Sequence, residues 1–382
     1  MSDYFFVLGR DPALAVAELE SYLANRGIKG NISVVHESIA IVKADEINVS
    51  KTVAELGGTV KAGLIVAKLS KNMDELEKVL DNYPFWTGAG NKINWSVCVL
   101  DKDKEMEIFL KNYFKKRFKA EKLKAIWKPA PRPWELAAWK AGLEIVSFFD
   151  GKEMCIGKTL TVFNPRAVAR RDLGRPEQKP EIAISLRLAR ILINLSGAKA
   201  GAMLLDPFCG IGTILQEALL AGIRAAGIDI DPANIAMAKR NLEWFTKKYD
   251  IATEWSVNVG NATELPEMFE RNSVNAIATE PYLGPLLKAR PTEAEAKRII
   301  SELNLLYKDF LMAAHAVLAP GGRIASVFPC FKTDNALIEI PVADIAQKIG
   351  FKLWQPTKKT FPYLYTDERK KIDRLIYVLV KS

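Results

Sequence analysis

Residues 204–231, LLDPFCGIGTILQEALLAGIRAAGIDID, constrain the fold more than any other stretch of this 382-residue chain. An apolar run ends in Asp206, a loop carries Gly210 and Gly212, helical spacing starts at Thr213, and a second apolar run ends near Asp229. Strand, glycine loop, helix and strand in that order form a βαβ unit, with parallel strands and a covering helix. The glycines let backbone approach a ligand, and the helix start offers free N–H groups. Asp229 falls about 20 residues past the loop, where an acid binds the two hydroxyls of a ribose. Asp206 narrows the ligand further, because a carboxylate in the first loop repels a pyrophosphate and suits an ammonium group. The bland alternative is an ordinary α/β turn that binds nothing.

The same alternation continues to the C-terminus. Strands are expected at 203–205, 225–230, 255–259, 274–279 and 323–328, the last after a Pro320-Gly321-Gly322 turn. Helices are expected at 213–220, 233–245 and 342–349, with one long helix or a pair at 293–318, and 352–356 and 375–380 read as a closing antiparallel pair. That is a doubly wound α/β domain with a seven-stranded mixed sheet. Residues 1–165 read instead as short mixed α+β elements. Residues 164–180, NPRAVARRDLGRPEQKP, hold three prolines and few apolar residues, and an amphipathic helix follows at 181–195. The expected organisation is an N-terminal α+β region at 1–165, a linker at 166–180 and a catalytic domain at 181–382.

The string D-P-F-x-G-x-G-T resembles motif I of class I S-adenosylmethionine-dependent methyltransferases, whose cofactor carries an ammonium, a sulfonium and a ribose but no phosphate. This resemblance makes Asp206, Phe208, Gly210, Gly212, Thr213, Asp229 and Ile230 cofactor-binding candidates. After the third strand, VGNATELP places Asn261 and Ala262 where the superfamily commonly has an Asp that receives the adenine amino group. The fourth strand ends IATEPYLGP, which resembles the (D/N/S)-P-P-(Y/F/W) motif of amino-group methyltransferases. There an oxygen acceptor orients the lone pair of an exocyclic amine and an aromatic ring stacks on the base. Glu280 is the expected acceptor and Tyr282 the stacking platform, joined by Pro281; Thr279 is the competing occupant of the acid position.

Charge is distributed unevenly. Of the net +9, residues 1–199 carry +8 (32 Lys+Arg, 24 Asp+Glu) and residues 200–382 carry +1 (22 and 21). Residues 111–132 hold nine Lys/Arg against Glu121 alone, with Tyr113, Phe114, Phe118 and Trp127 interleaved. On a helix, Lys111, Lys115 and Lys119 share one face. With Lys116 and Arg117 they suggest a phosphate-contacting surface, the alternative being a solvated basic helix. Arg166, Arg170, Arg171 and Arg175 form a second cluster that either faces the nucleic-acid substrate or clamps the domains together. Four dispersed cysteines without a CxxC pair argue against disulfides and Cys-based zinc sites and fit a reducing cytoplasm, and two histidines supply little metal chemistry. Cys330 is a weak candidate nucleophile for C5 methylation. No metal, signal peptide or membrane span is expected.

Taken together, YFFVLGRDPALAVAELESYL, GGTVKAG, RRDLGRP and SLRLARILINL resemble the tRNA guanine-10 N2-methyltransferase family nearly end to end. The resemblance implies a THUMP-like RNA-binding module in the N-terminal region and a class I (Rossmann-like) methyltransferase domain after it. It implies S-adenosyl-L-methionine as cofactor, tRNA as partner and methyl transfer to the exocyclic N2 of a guanine. Eukaryotic members work with a small activating subunit, which the resemblance raises for this chain. Three features depart from the family pattern: TEPY stands for D-P-P-Y, Asn261 for Asp, and Ser185-Leu186 for prolines. Two other functions fit the motifs. One is a DNA adenine or cytosine amino-methyltransferase, which would need its own target-recognition region. The other is a non-catalytic RNA-binding protein that keeps the fold.

Overall fold

A computed structural model of the protein describes residues 1–382 other than 36–37, 71–72, 89, 130–132, 140–141, 181–183, 288, 333–336, 359 and 367–370. Arg132 and the expected helix start at 181–183 lie outside the described residues. The chain divides into two compact units, Met1–Val16 with Gly27–Arg170, and Ala17–Arg26 with Arg171–Ser382.

The first unit is built on β1 (Ser2–Leu8), the start of α1 (Pro12–Asn25), β2 (Gly30–Val35), β3 (Ile39–Ala44), α2 (Val49–Glu55), β4 (Thr59–Leu69), α3 (Met73–Asn82), β5 (Lys92–Val99), α4 (Lys104–Ala120), β6 (Lys124–Trp127), α5 (Pro133–Ala138), β7 (Gly142–Phe149) and β8 (Met154–Val162). Its eight strands form one sheet in the order β2-β3-β1-β4-β8-β7-β5-β6. β5 runs parallel to β6 and β7, and the remaining pairs are antiparallel. Asp103 caps α4, its side chain accepting from Met106 N at 3.0 Å. Met106, Leu110, Phe114 and Phe118, at helical spacing, are buried against Trp95, Val97, Leu143 and Ile145. That packing turns Lys115, Lys116 and Lys119 outward.

The helix α6 (Pro165–Leu173) occupies much of the expected linker. Pro165 suits a first helical position, and Asn164 Oδ1 accepts from Ala167 N at 3.1 Å, so a proline-rich stretch starts a helix here.

The second unit continues with α7 (Leu186–Leu195), β9 (Met203–Asp206), α8 (Thr213–Leu220), β10 (Arg224–Asp229), α9 (Pro232–Tyr249), β11 (Trp255–Val259), α10 (Leu265–Met268), β12 (Val274–Thr279), α11 (Glu293–Val317), β13 (Leu318–Lys332), β14 (Leu337–Glu339), α12 (Val342–Ile349), β15 (Phe351–Leu353), β16 (Tyr363–Tyr365) and β17 (Asp373–Lys381). Seven strands follow the order β11-β10-β9-β12-β13-β17-β15, and β14 and β16 add to β13 and β17. The sheet therefore has nine strands rather than the seven expected. The two additions are three-residue strands too short to show a period of their own. β9 to β12 and the β12–β13 pair are parallel, and β17 is antiparallel to its neighbours.

The order places β9 between β10 and β12, where successive crossovers leave in opposite directions. Such a switch point opens a crevice at the carboxyl ends of the strands. Pro320-Gly321-Gly322 lies inside β13 and not in a turn before it. The register jumps from Val274 opposite Leu318 to Ala276 opposite Arg323, and Gly321 absorbs the irregularity at φ +74°. The core beneath the crevice joins Leu205, Ile228 and Ile277 of the sheet to Tyr307, Phe310 and Leu311 of α11.

Candidate active site

A cleft of about 850 Å³ opens in the second unit, bordered by Asp206, Gly210, Asp229, Asn261, Glu280 and Tyr282 among others. Every expected cofactor residue except the buried Gly212 lines it, as do Glu280, Pro281 and Tyr282.

The glycine loop is held from beneath by side chains. Asp229 Oδ2 accepts from Gly210 N at 2.9 Å, and its Oδ1 accepts from Asp231 N and Asn234 Nδ2, both at 3.0 Å. Asp229 thus organises the loop whose ligand it faces. Gly212 caps α8 at φ +87°, a left-handed conformation that disfavours side chains. A Cβ on Gly227 would sit 2.5 Å from Leu215 and 2.9 Å from Cys209, so this glycine lets helix and loop pack onto β10. Asn241, fully buried, donates to Ile211 O at 3.1 Å.

Asp206 is 2% exposed. Its Oδ1 accepts from Thr279 Oγ1 at 2.6 Å and from Phe208 N at 3.2 Å. Burial pushes its carboxyl up to about 7 against the pull of these hydrogen bonds, and the negative charges of Asp229 and Glu280 add to the rise. A cationic group beside Asp206 would relieve this strain. Phe208 packs edge-on against Phe310, with ring centroids 5.2 Å apart. Ile230 is 72% exposed, an apolar side chain at the cleft where a flat ring would cover it. Asn261 Oδ1 accepts from Thr263 N at 3.1 Å, which fixes the amide at the cleft.

Two carboxylates, backbone N–H groups and exposed apolar side chains suit a ligand with an ammonium, a diol and an aromatic ring. They do not suit a pyrophosphate. The donor and acceptor set therefore fits S-adenosylmethionine: Asp206 toward the ammonium, Asp229 toward the ribose, Ile230 and Asn261 toward the adenine.

Thr279 ends β12 and spends its hydroxyl on Asp206, which leaves Glu280 as the available acid. Glu280 Oε1 lies 2.6 Å from Arg374 Nε of β17, with both side chains 11% exposed. Tyr307, wholly buried on α11, donates its hydroxyl to the Tyr282 carbonyl at 2.9 Å. That bond pins the loop backbone and leaves the Tyr282 ring 56% exposed at the cleft. Sequence reasoning missed Arg374, Tyr307 and Asn234. Arg374 lies 94 residues from Glu280, and no local pattern joins them.

The arginines of the linker are engaged differently from the nucleic-acid reading. Arg175 is buried and donates to Thr213 Oγ1 at 2.7 Å, and Arg171 and Arg190 both pair with the buried Glu217 of α8. These residues brace α8, while Arg170 is exposed. Arg117 is likewise occupied: it donates to the carbonyls of Leu80 and Tyr83 and pairs with Glu121 at 2.7 Å. Cys330 is wholly buried, and burial raises its thiol to about 12, which removes it as a nucleophile. All four cysteines are unpaired, and no His/Cys/Asp/Glu cluster able to hold a metal exists among the described residues. None of the described helices is long and apolar enough to cross a membrane.

A family model described as an RMKL-like methyltransferase domain matches residues 175–339, and one described as DNA methylase matches 26–240. Their overlap, 175–240, contains the glycine loop and Asp229. The chain is 32% identical over 209 residues, 55% of each sequence, to the tRNA (guanine(10)-N2)-dimethyltransferase of Pyrococcus abyssi. It is 37% identical over 169 residues to the Methanothermobacter thermautotrophicus enzyme of the same name, 44% of this chain and 45% of that one. A tRNA (guanine(6)-N2)-methyltransferase of Thermus thermophilus is 30% identical over 185 residues, 46% of each. The matches span about half the length of these curated relatives. The crystal structure of TrmN from Thermus thermophilus shares the fold over 100% of both chains, at a TM-score of 0.56 and 18% identity. Fold and site together define a class I methyltransferase. Within that class, the curated relatives that the chain resembles over about half their length are tRNA guanine-N2 methyltransferases.

Proposed function

We propose that this chain transfers a methyl group from S-adenosylmethionine to the exocyclic N2 of a guanine in tRNA, with guanine 10 as the expected position. The observation that carries the reading is that Glu280 and Tyr282 line the same cleft as Asp206 and Asp229. When bound, S-adenosylmethionine supplies an electrophilic methyl on its sulfonium. Asp206 and Asp229 would fix its two ends. The Tyr282 ring offers a stacking face for the target base. Glu280 accepts an amine hydrogen and so turns the nitrogen lone pair toward the methyl. The amine proton becomes acidic only as the N–C bond forms, so no strong base is needed beforehand, and the Glu280 carboxylate is placed to take it. A guanine stacked in an RNA helix must be swung out to reach such a cleft.

The first unit, which carries Lys111, Lys115, Lys116 and Lys119 on α4, supplies the RNA-binding module in this reading, and its relation to a THUMP module belongs to the same proposal. We place the reaction in the cytoplasm, where four unpaired thiols stay reduced. Incubating the protein with labelled S-adenosylmethionine and tRNA, ribosomal RNA or DNA, then digesting to nucleosides, tests the proposal. N2-methylated guanosine from tRNA supports it. Label in DNA alone would favour the second reading, a DNA amino-methyltransferase, which the DNA methylase match over 26–240 keeps open. Activity of the chain by itself would show that no activating subunit is required.

A further inference from the structure

The Glu280–Arg374 pair is unusual for an acid meant to receive a substrate amine, because one of its oxygens already has a cationic partner. Glu280 leaves the end of β12, next to Thr279 opposite Ser326 of β13. Arg374 lies two strands away on β17, opposite Pro329 of β13 and Tyr365 of β16. Its side chain reaches past β13 to bring Nε within 2.6 Å of Glu280 Oε1, and both residues line the cleft. An ionised carboxylate accepts at about four lone-pair sites, so the arginine does not exhaust Glu280. The guanidinium presents its remaining N–H groups in the same plane as the Nε donor.

We infer that Glu280 and Arg374 form a single reader of the guanine edge, with Arg374 as a specificity-determining residue that receives the base O6. The inference rests on the guanine-N2 reading above and names what selects the base. From N2 to O6 a guanine presents donor, donor, acceptor. Glu280 answers the two donors, N2–H through one oxygen and N1–H through the other. Arg374, already joined to that second oxygen, answers the acceptor. Adenine and cytosine each present an acceptor beside their amine, which would face a carboxylate oxygen and leave both groups mismatched. A lone acid would accept any exocyclic amine, so the arginine supplies the discrimination between guanine and the other amino bases. Hydrogen-bonding pairs of this kind discriminate between bases by roughly tenfold to hundredfold.

The experiment places 6-thioguanine at the methylated nucleotide of a synthetic tRNA, after that nucleotide has been mapped with the unmodified RNA. The analogue keeps both donors and exchanges the O6 acceptor for a weak one. Wild-type kcat/KM is expected to fall roughly tenfold or more on the analogue. Arg374→Met should lose a similar factor on guanine and no longer distinguish the two RNAs. Arg374→Lys, which keeps the charge but not the planar fork, should lie between. Equal wild-type rates on the two RNAs would overturn the inference, as would an Arg374→Met variant that slows both by one factor. The wild-type comparison stands even if Arg374→Met fails to fold. Absence of any N2-methylguanosine from the unmodified tRNA would instead defeat the underlying guanine-N2 reading, before Arg374 is tested.

Discussion

The Thr279 hydroxyl donates to Asp206 across 2.6 Å and ties the end of β12 to the end of β9. The strand that leads to Glu280 thereby bears on the electrostatics of Asp206. Asp206 is buried, its carboxyl is raised from 3.8 to about 7, and the threonine bond works against that rise. An acid with a raised folded value stabilises the fold below its unfolded value and loses that contribution as pH climbs through the folded one. Without cofactor, Asp206 is thus a cost at neutral pH, of order 2–4 kcal/mol for a fully buried group. Asp206→Asn keeps an oxygen for Thr279 and Phe208 N. It should raise the melting temperature of the cofactor-free protein near pH 7 and abolish the stabilisation that S-adenosylmethionine gives. In the native protein, cofactor affinity should increase as pH rises through about 7, and Thr279→Val should move that midpoint upward. Calorimetric titrations across this range check both; a flat profile would contradict the role given to Asp206.

Asp229 accepts three hydrogen bonds, from Gly210 N of the glycine loop, Asp231 N and Asn234 Nδ2, so its removal acts twice, on the ribose and on the loop that shapes the cleft. Asp229→Ala should weaken cofactor binding about a hundredfold, as the loss of several charge-assisted hydrogen bonds implies. Asn234→Ala removes one of the three and should cost no more than about tenfold. Equilibrium dialysis with labelled cofactor measures both.

Tyr307 and Tyr282 separate turnover from cofactor binding. Tyr307→Phe deletes the bond to the Tyr282 carbonyl, leaves the core filled, and should lower kcat roughly tenfold by loosening the loop. Tyr282→Ala should lower kcat further, and Tyr282→Phe should keep the stacking face and most of the rate. Cofactor dissociation constants should stay within about twofold in all three, the change expected when no cofactor contact is lost. A large loss of cofactor affinity in Tyr282→Ala would place that ring on the wrong ligand.

The glycine loop and the βαβ unit around it were legible because their signals are local: Asp206, Gly210, Gly212 and Asp229 fall within that one unit. Boundaries of α8, β11, β12 and α12 matched for the same reason, since glycine, proline or a polar residue marks at least one end of each. The Glu280–Arg374 pair was invisible, because β17 reaches the cleft only after the sheet has closed over β13. The linker arginines misled by composition. Four Arg in ten residues read as a nucleic-acid cluster, yet Arg171 and Arg175 are spent on Glu217 and Thr213, partners that only tertiary packing supplies.

The basic helix α4 gives the sharpest separation of roles. Lys115, Lys116 and Lys119 are exposed on it, while Arg117 donates to Leu80 and Tyr83 and packs near Phe85. Changing the three lysines to Gln should lower tRNA affinity and reduce the slope of log affinity against log salt by about 2–3, since each phosphate contact contributes roughly 0.7–0.9. Their stability should change by no more than about 0.5 kcal/mol. Arg117→Met should do the reverse: it leaves two carbonyls without their donor and should cost about 1.5–3 kcal/mol of stability. At temperatures where the variant is folded, its salt slope should match the native one. Filter binding over a salt series, alongside chemical denaturation, reads both quantities. A native slope in the lysine variant would remove α4 from the RNA surface, and a lowered slope in Arg117→Met would return that arginine to it.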